Sequence, residues 1–140
     1  AGVYVILNPA PACHLPEELF GYISLITPNQ TESALLSGVG DNLDAAVEKL
    51  MQLGVKDVVV TLGSKGSLVI SEGAKTLVPS LKVKAVDTTA AGDTFCGALC
   101  VALSEGCSLV DAAGFATKAS ALTVQKMGAQ DSIPFRSDIK

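Results

Sequence analysis

The chain has 140 residues with 10 basic and 14 acidic side chains, a net charge of -4, and is 49% hydrophobic but only 4% aromatic, with no Trp. That length suits one domain or part of one, and a core without Trp must rest on Val, Leu, Ile and Ala, which suit strands buried on both faces by helices. The charge balance offers no basic stripe for non-specific nucleic-acid binding, but it leaves open phosphate binding by backbone amides, which needs no net positive charge.

The chain opens without Met and almost directly into an apolar strand, Val3 to Leu7, which reads as the interior of a longer polypeptide. "AGVYVILNPAPA" lacks the basic start of a signal peptide, and no segment approaches the ~20 apolar residues of a membrane span. Asn8 to Pro11 stops the first strand. Tyr22 to Ile26 is a second short apolar run, ended by Thr27-Pro28. Asn29 and Glu32 have capping-box spacing ahead of Ala34, Leu35 and Leu36, and that helix should end near Gly38. Asp41 or Asn42 caps the next helix, with Ala46, Val47, Leu50 and Leu53 on one face and Gly54 just past its end. Asp57 to Leu62, "DVVVTL", is the strongest strand pattern in the chain. Alternating strands and helices imply a parallel sheet covered on both faces.

The rhythm then changes. Ser67 to Ser71, Lys75 to Pro79 and Lys82 to Val86 are short strand candidates, and Ser71-Glu72-Gly73 is a hairpin signal, so an antiparallel edge joins the sheet. Two helices follow. The first runs from about Gly92 to Ser104 with Phe95, Leu99, Ala102 and Leu103 inward, and Gly106 ends it. Ser108 caps the second, which is rich in Ala and runs to about Val124. The tail from Gln125 reads as loop. Cys13, Cys96, Cys100 and Cys107 form no CxxC pair and have one His, His14, to join them, which argues against a zinc site. They read instead as small core-facing residues of a protein in a reducing cytosol.

In open parallel sheets ligands bind beyond the carboxyl ends of strands, where three loops qualify: Asn29 to Glu32, Gly63 to Gly66, and Asp87 to Asp93. In "VDTTAAGDTF" the small residues Ala90, Ala91 and Gly92 leave the backbone unshielded. The amides of Ala91, Gly92 and Asp93 would sit unpaired at a helix N-terminus, where the macrodipole adds partial positive charge. Such a site could hold a phosphoryl group during transfer, with Asp93 placed to receive a proton from an attacking hydroxyl. The plainer alternative is a tight turn in which Asp93 only complements the helix dipole. Gly63-Ser64-Lys65-Gly66 is a glycine turn at a strand end and not the GxxxxGK[ST] loop. Read alone it is a strand-to-strand turn, and Asn29 and Glu32 alone are a cap.

Five segments in order, "ILNPAPA", "TPNQTES", "VTLGSKGS", "DTTAAGDTFCGAL" and "KMGAQDSIP", make the chain resemble the C-terminal half of the ribokinase-type sugar kinases. The resemblance implies a Rossmann-like α/β sandwich, a largely parallel sheet with an antiparallel edge and helices on both faces. Here the domain is incomplete, and residues 1–140 are its ATP-binding and catalytic part. It implies ATP-dependent phosphorylation of a sugar hydroxyl, with D-ribose to ribose 5-phosphate as the leading case. Another sugar or nucleoside, or a non-catalytic nucleotide-binding fragment, remains the alternative. By this match Asp93 is the base, and the amides of Ala91, Gly92 and Asp93 form an anion hole. Asn29 lies near the ATP phosphates, Glu32 organises Mg²⁺ through water, and Thr61, Leu62, Gly63, Ser64, Lys65 and Gly66 border the nucleotide. Thr117 falls near the adenine. A monovalent cation, usually K⁺, is held by Asp87, the Thr89 carbonyl, carbonyls near Thr123, Lys126 and Gly128, and Ser132. The resemblance also implies a cytoplasmic enzyme that is a homodimer at full length, with no nucleic-acid or membrane partner. In one departure, Ala90 stands where the family has Gly. If that position needs a positive φ, the added methyl costs about 1 kcal/mol. In the other, the N-terminal half, which carries most sugar contacts, is missing.

Overall fold

The computed structural model describes residues 2–139. In chain order the main elements are β1 (Ile6–Leu7), α1 (Glu17–Phe20), β2 (Leu25–Ile26), α2 (Gln30–Ser37), α3 (Leu43–Gln52), β3 (Asp57–Thr61), β4 (Ser67–Ser71), β5 (Ala74–Val78), α4 (Ala91–Ser104) and α5 (Leu109–Thr123). The sheet runs β1-β2-β3-β4-β5. β1 to β3 are parallel, with Ile6 opposite Leu25, Leu25 opposite Asp57 and Ile26 opposite Val58. β4 and β5 close the sheet as the expected hairpin. Its two turn residues, Glu72 and Gly73, both have positive φ, 50° and 78°, the pattern of a turn that matches strand twist.

The chain forms two units, Ala1–Leu62 with Leu68–Thr76, and Gly63–Ser67 with Leu77–Lys140. The first has an aliphatic core of Phe20, Ile23, Ile26, Val47, Leu50, Val55, Val58, Val60, Leu68 and Ile70. Val59 is as fully buried as its neighbours Val58 and Val60, so β3 is covered on both faces, as its uninterrupted apolar run requires. In the second unit α4 and α5 pack against each other, and Phe95, Leu99 and Ala102 of one helix and Ala112, Ala113, Ala116, Ala119 and Ala121 of the other are buried. Side chains this small let the helix backbones approach closely.

Several expectations need correction. Only Ile6–Leu7 and Leu25–Ile26 of the two N-terminal runs enter the ladder. Val3, Tyr4 and Val5 are exposed. The residues before β2 instead close turns after α1, with Tyr22 N–H donating to the Leu19 carbonyl and Ile23 N–H to that of Phe20. Lys82 to Val86 is not a strand. The N–H groups of Val86 and Asp87 both donate to the Val124 carbonyl at the end of α5, at 2.7 and 3.2 Å, which takes them out of any ladder. The tail contains two single 3₁₀ turns, Gln130–Ser132 and Arg136–Asp138. Cys96 and Cys100 are half-buried, while Cys13 and Cys107 are exposed.

Candidate functional site

In the first unit, the carboxyl ends of β2 and β3 bring Asn29, Glu32 and Thr61 together. Thr61 N–H donates to the Pro28 carbonyl at 2.9 Å, and Asn29 and Thr61 form an isolated parallel bridge. The capping box is complete. Glu32 N–H donates to Asn29 Oδ1, and Asn29 N–H to Glu32 Oε2, each at 2.8 Å. This leaves Glu32 Oε1 and the side-chain amide nitrogen of Asn29 without a hydrogen bond among the described residues. Thr61 and Leu62 are half-buried at the end of β3.

In the second unit, Gly63–Lys65 is a 3₁₀ turn, closed by Gly66 N–H donating to the Gly63 carbonyl at 3.0 Å. Ser64 and Lys65 are exposed. Gly66 has φ 102°, and a Cβ there would lie 2.0 Å from the Val78 carbonyl oxygen and 2.7 Å from Ser80 N. Only glycine fits so close a backbone approach. Next to it, Ser67 and Thr117 share a buried hydrogen bond of 3.3 Å between their hydroxyls. Thr117 therefore anchors this turn to α5, with its side chain buried.

The loop into α4 is built around Ala90 and Asp87. Ala90, the N-cap, has φ 61° and ψ 5°, the left-handed conformation anticipated for a glycine position. Ala91 N–H donates to the Thr88 carbonyl at 3.2 Å, which corrects the expectation that three amides are unpaired. Those of Gly92 and Asp93 have no hydrogen-bond partner among the described residues. The Gly92 and Asp93 residues are exposed. At the other end of the loop, Asp87 accepts the N–H of Thr89 at 2.9 Å on one oxygen and that of Gly128 at 3.0 Å on the other. Hydrogen bonds from the Thr89 side chain and backbone, then from the Gly128 backbone, hold its carboxyl below the usual range.

The other expected cation ligands lie along the C-terminal segment. The Thr123 carbonyl accepts Lys126 N–H at 3.1 Å. Ser132 is fully buried, and its hydroxyl donates to the Ala129 carbonyl at 2.6 Å. One residue that sequence reasoning passed over is Ser120, whose hydroxyl donates to the Ala91 carbonyl at 3.0 Å. The available signal was the three-residue spacing of Thr117, Ser120 and Thr123 in a helix otherwise rich in alanine.

The fold is an open mixed α/β sheet whose parallel strands carry loops at their carboxyl ends. The chain belongs to the pfkB family of carbohydrate kinases, whose family model matches residues 1–136. It is similar to the ribokinase of Schizosaccharomyces pombe, 47% identical over 141 residues that cover 95% of this chain and 44% of that protein. Among solved structures it resembles ribokinase from Thermotoga maritima, at 44% identity and a TM-score of 0.91, over 99% of this chain and 48% of that one. It also resembles Arabidopsis thaliana ribokinase complexed with ribose and ATP, at 39% identity and a TM-score of 0.92, over 99% of this chain and 46% of that one. The chain therefore spans about half the length of these relatives.

Proposed function

We propose that this chain is the ATP-binding and catalytic half of a kinase that transfers the terminal phosphoryl group of ATP to a sugar hydroxyl, D-ribose being the substrate. The observation that carries this reading is the N-terminus of α4, where the amides of Gly92 and Asp93 are free and the Asp93 carboxylate is exposed beside them. Negative charge moves onto the transferring group during phosphoryl transfer, and preorganised amides at a helix N-terminus stabilise it. Asp93 accepts the proton of the attacking hydroxyl and orients it. The relatives that are ribokinases, one of them complexed with ribose and ATP, support the substrate pair.

The capping box serves a second purpose in this reading. The side-chain nitrogen of Asn29 would donate to phosphate oxygens, and the unused oxygen of Glu32 would hold a water of Mg²⁺. Such a water-mediated contact fits a cation that keeps much of its hydration shell. Thr61 to Gly66 border the nucleotide, with Thr117 fixing the turn from behind. Asp87, the Thr89 carbonyl, the carbonyls near Thr123, Lys126 and Gly128, and Ser132 would form an all-oxygen donor set suited to a hard cation such as K⁺. Each carbonyl keeps a lone pair for it beside any N–H it already accepts. When bound, the two cations supply positive charge, Mg²⁺ at the phosphates and K⁺ behind the loop.

The test is Asp93→Asn in the full-length protein. Turnover should fall by at least about a hundredfold, with the KM for ATP changed little. Near-normal turnover would remove Asp93 as the base.

A further inference from the structure

Three hydroxyls line one face of α5, spaced three residues apart as a helix face requires: Thr117, Ser120 and Thr123. Each meets a different part of the second unit. Thr117 bonds Ser67 beside the glycine turn at 3.3 Å, Ser120 bonds the Ala91 carbonyl at 3.0 Å, and Thr123 lies 3.1 Å from the Thr94 hydroxyl. The last two grip the first turn of α4 alone.

The Ser120 contact has a specific geometric effect. A peptide unit is planar and trans, so the Ala91 carbonyl and the Gly92 N–H point in opposite directions across one rigid plane. A hydroxyl that holds the carbonyl therefore also sets the direction of the free amide. Helix geometry assigns that carbonyl one further bond, from the amide four residues on. First turns are nevertheless the least secured part of a helix, and this one follows Ala90, held at φ 61°.

We propose that Ser120 is a positioning residue for phosphoryl transfer: by holding the Ala91 carbonyl, its hydroxyl aims the Gly92 amide at the phosphoryl group. This rests on the reading of the α4 N-terminus as the anion site. In the full-length kinase, Ser120→Ala should lower kcat roughly tenfold, a fraction of the loss seen when an oxyanion donor is removed outright. The KM values for ATP and sugar should stay within about twofold. Affinity for ADP with aluminium fluoride, which mimics the group in transfer, should fall with kcat while ATP affinity holds.

Ser120→Thr keeps the hydroxyl and should retain kcat. Ser120→Cys offers a second side chain lacking the hydroxyl if the Ala variant folds poorly. A merely structural role would lower the melting temperature and leave kcat per folded molecule and affinity for the mimic unchanged. That outcome overturns the proposal, as does a Thr variant as slow as the Ala variant. Asp93→Asn, measured in parallel, separates the two levels. If it stays active while Ser120→Ala also leaves affinity for the mimic unchanged, the catalytic reading of the α4 N-terminus itself fails. If it is inactive while Ser120→Ala is normal, only the positioning role fails.

Discussion

Ala90 occupies a backbone conformation that its Cβ disfavours. At φ 61° and ψ 5° an L-residue other than glycine bears a cost of about 1–2 kcal/mol. Ala90→Gly removes that cost but adds chain entropy to the unfolded state, so a net gain of about 0.5–1 kcal/mol is expected in urea denaturation. An unchanged or lower midpoint would show that the loop does not carry this strain. Asp87 makes a prediction about pH. Its pKa is lowered in the folded state, so its contribution to stability is complete above the unfolded value of about 3.9. The contribution is lost as pH falls through the lower folded value. The stability deficit of Asp87→Asn should thus be constant from neutral pH to about pH 5 and shrink below about pH 4. A deficit independent of pH would mean that the charge is not what the two amides bind. Both residues were legible in sequence, Ala90 as an alanine in a glycine position and Asp87 as an acid before a small-residue loop. Ser120 was not, because the three-residue spacing marks only its face of α5, while its partner lies 29 residues away.

Among elements, those read best are those whose ends are made by their own residues. The α2 box needs only Asn29 and Glu32, three positions apart, and the structure contains both bonds. Asn29→Ala should cost the protein about 1 kcal/mol, whereas Asn29→Asp, which keeps the acceptor oxygen, should cost less. Equal denaturation midpoints for the wild type and the Ala variant would remove the cap's stabilising role. α3, capped by Asn42 through the N–H of Ala45 at 3.1 Å, was legible for the same reason, as was the Glu72-Gly73 hairpin. Lys82 to Val86 misled because its alternating pattern promises a ladder partner. The partner it found is a single carbonyl, that of Val124, which sequence spacing does not reveal. α1 has only four residues, too few for any periodicity to register.

For the molecule as a whole, local physics leans toward reading the α4 loop as a plain turn, and it is the resemblance that supports the proposal of a phosphoryl site there. The proposed cation behind that loop gives a test at this scale. Replacing K⁺ by Na⁺ at fixed ionic strength should lower turnover of the full-length kinase, and equal rates in both salts would count against a ligand role for Asp87. Sugar selection was not legible, because this chain spans about half of its relatives. The two margins of the sheet differ in kind. On one side, β5 carries Lys75, exposed and paired with Asp44 of α3, and is entered through the Glu72-Gly73 turn. Such a margin is blunted against further pairing. On the other, β1 contributes two residues to the ladder and leads back to Val3, Tyr4 and Val5, at 73%, 52% and 38% exposure. The sheet thus has a finished side and a growing side. Of the two margins, β1 is the one that the described residues leave unguarded against pairing with a further strand.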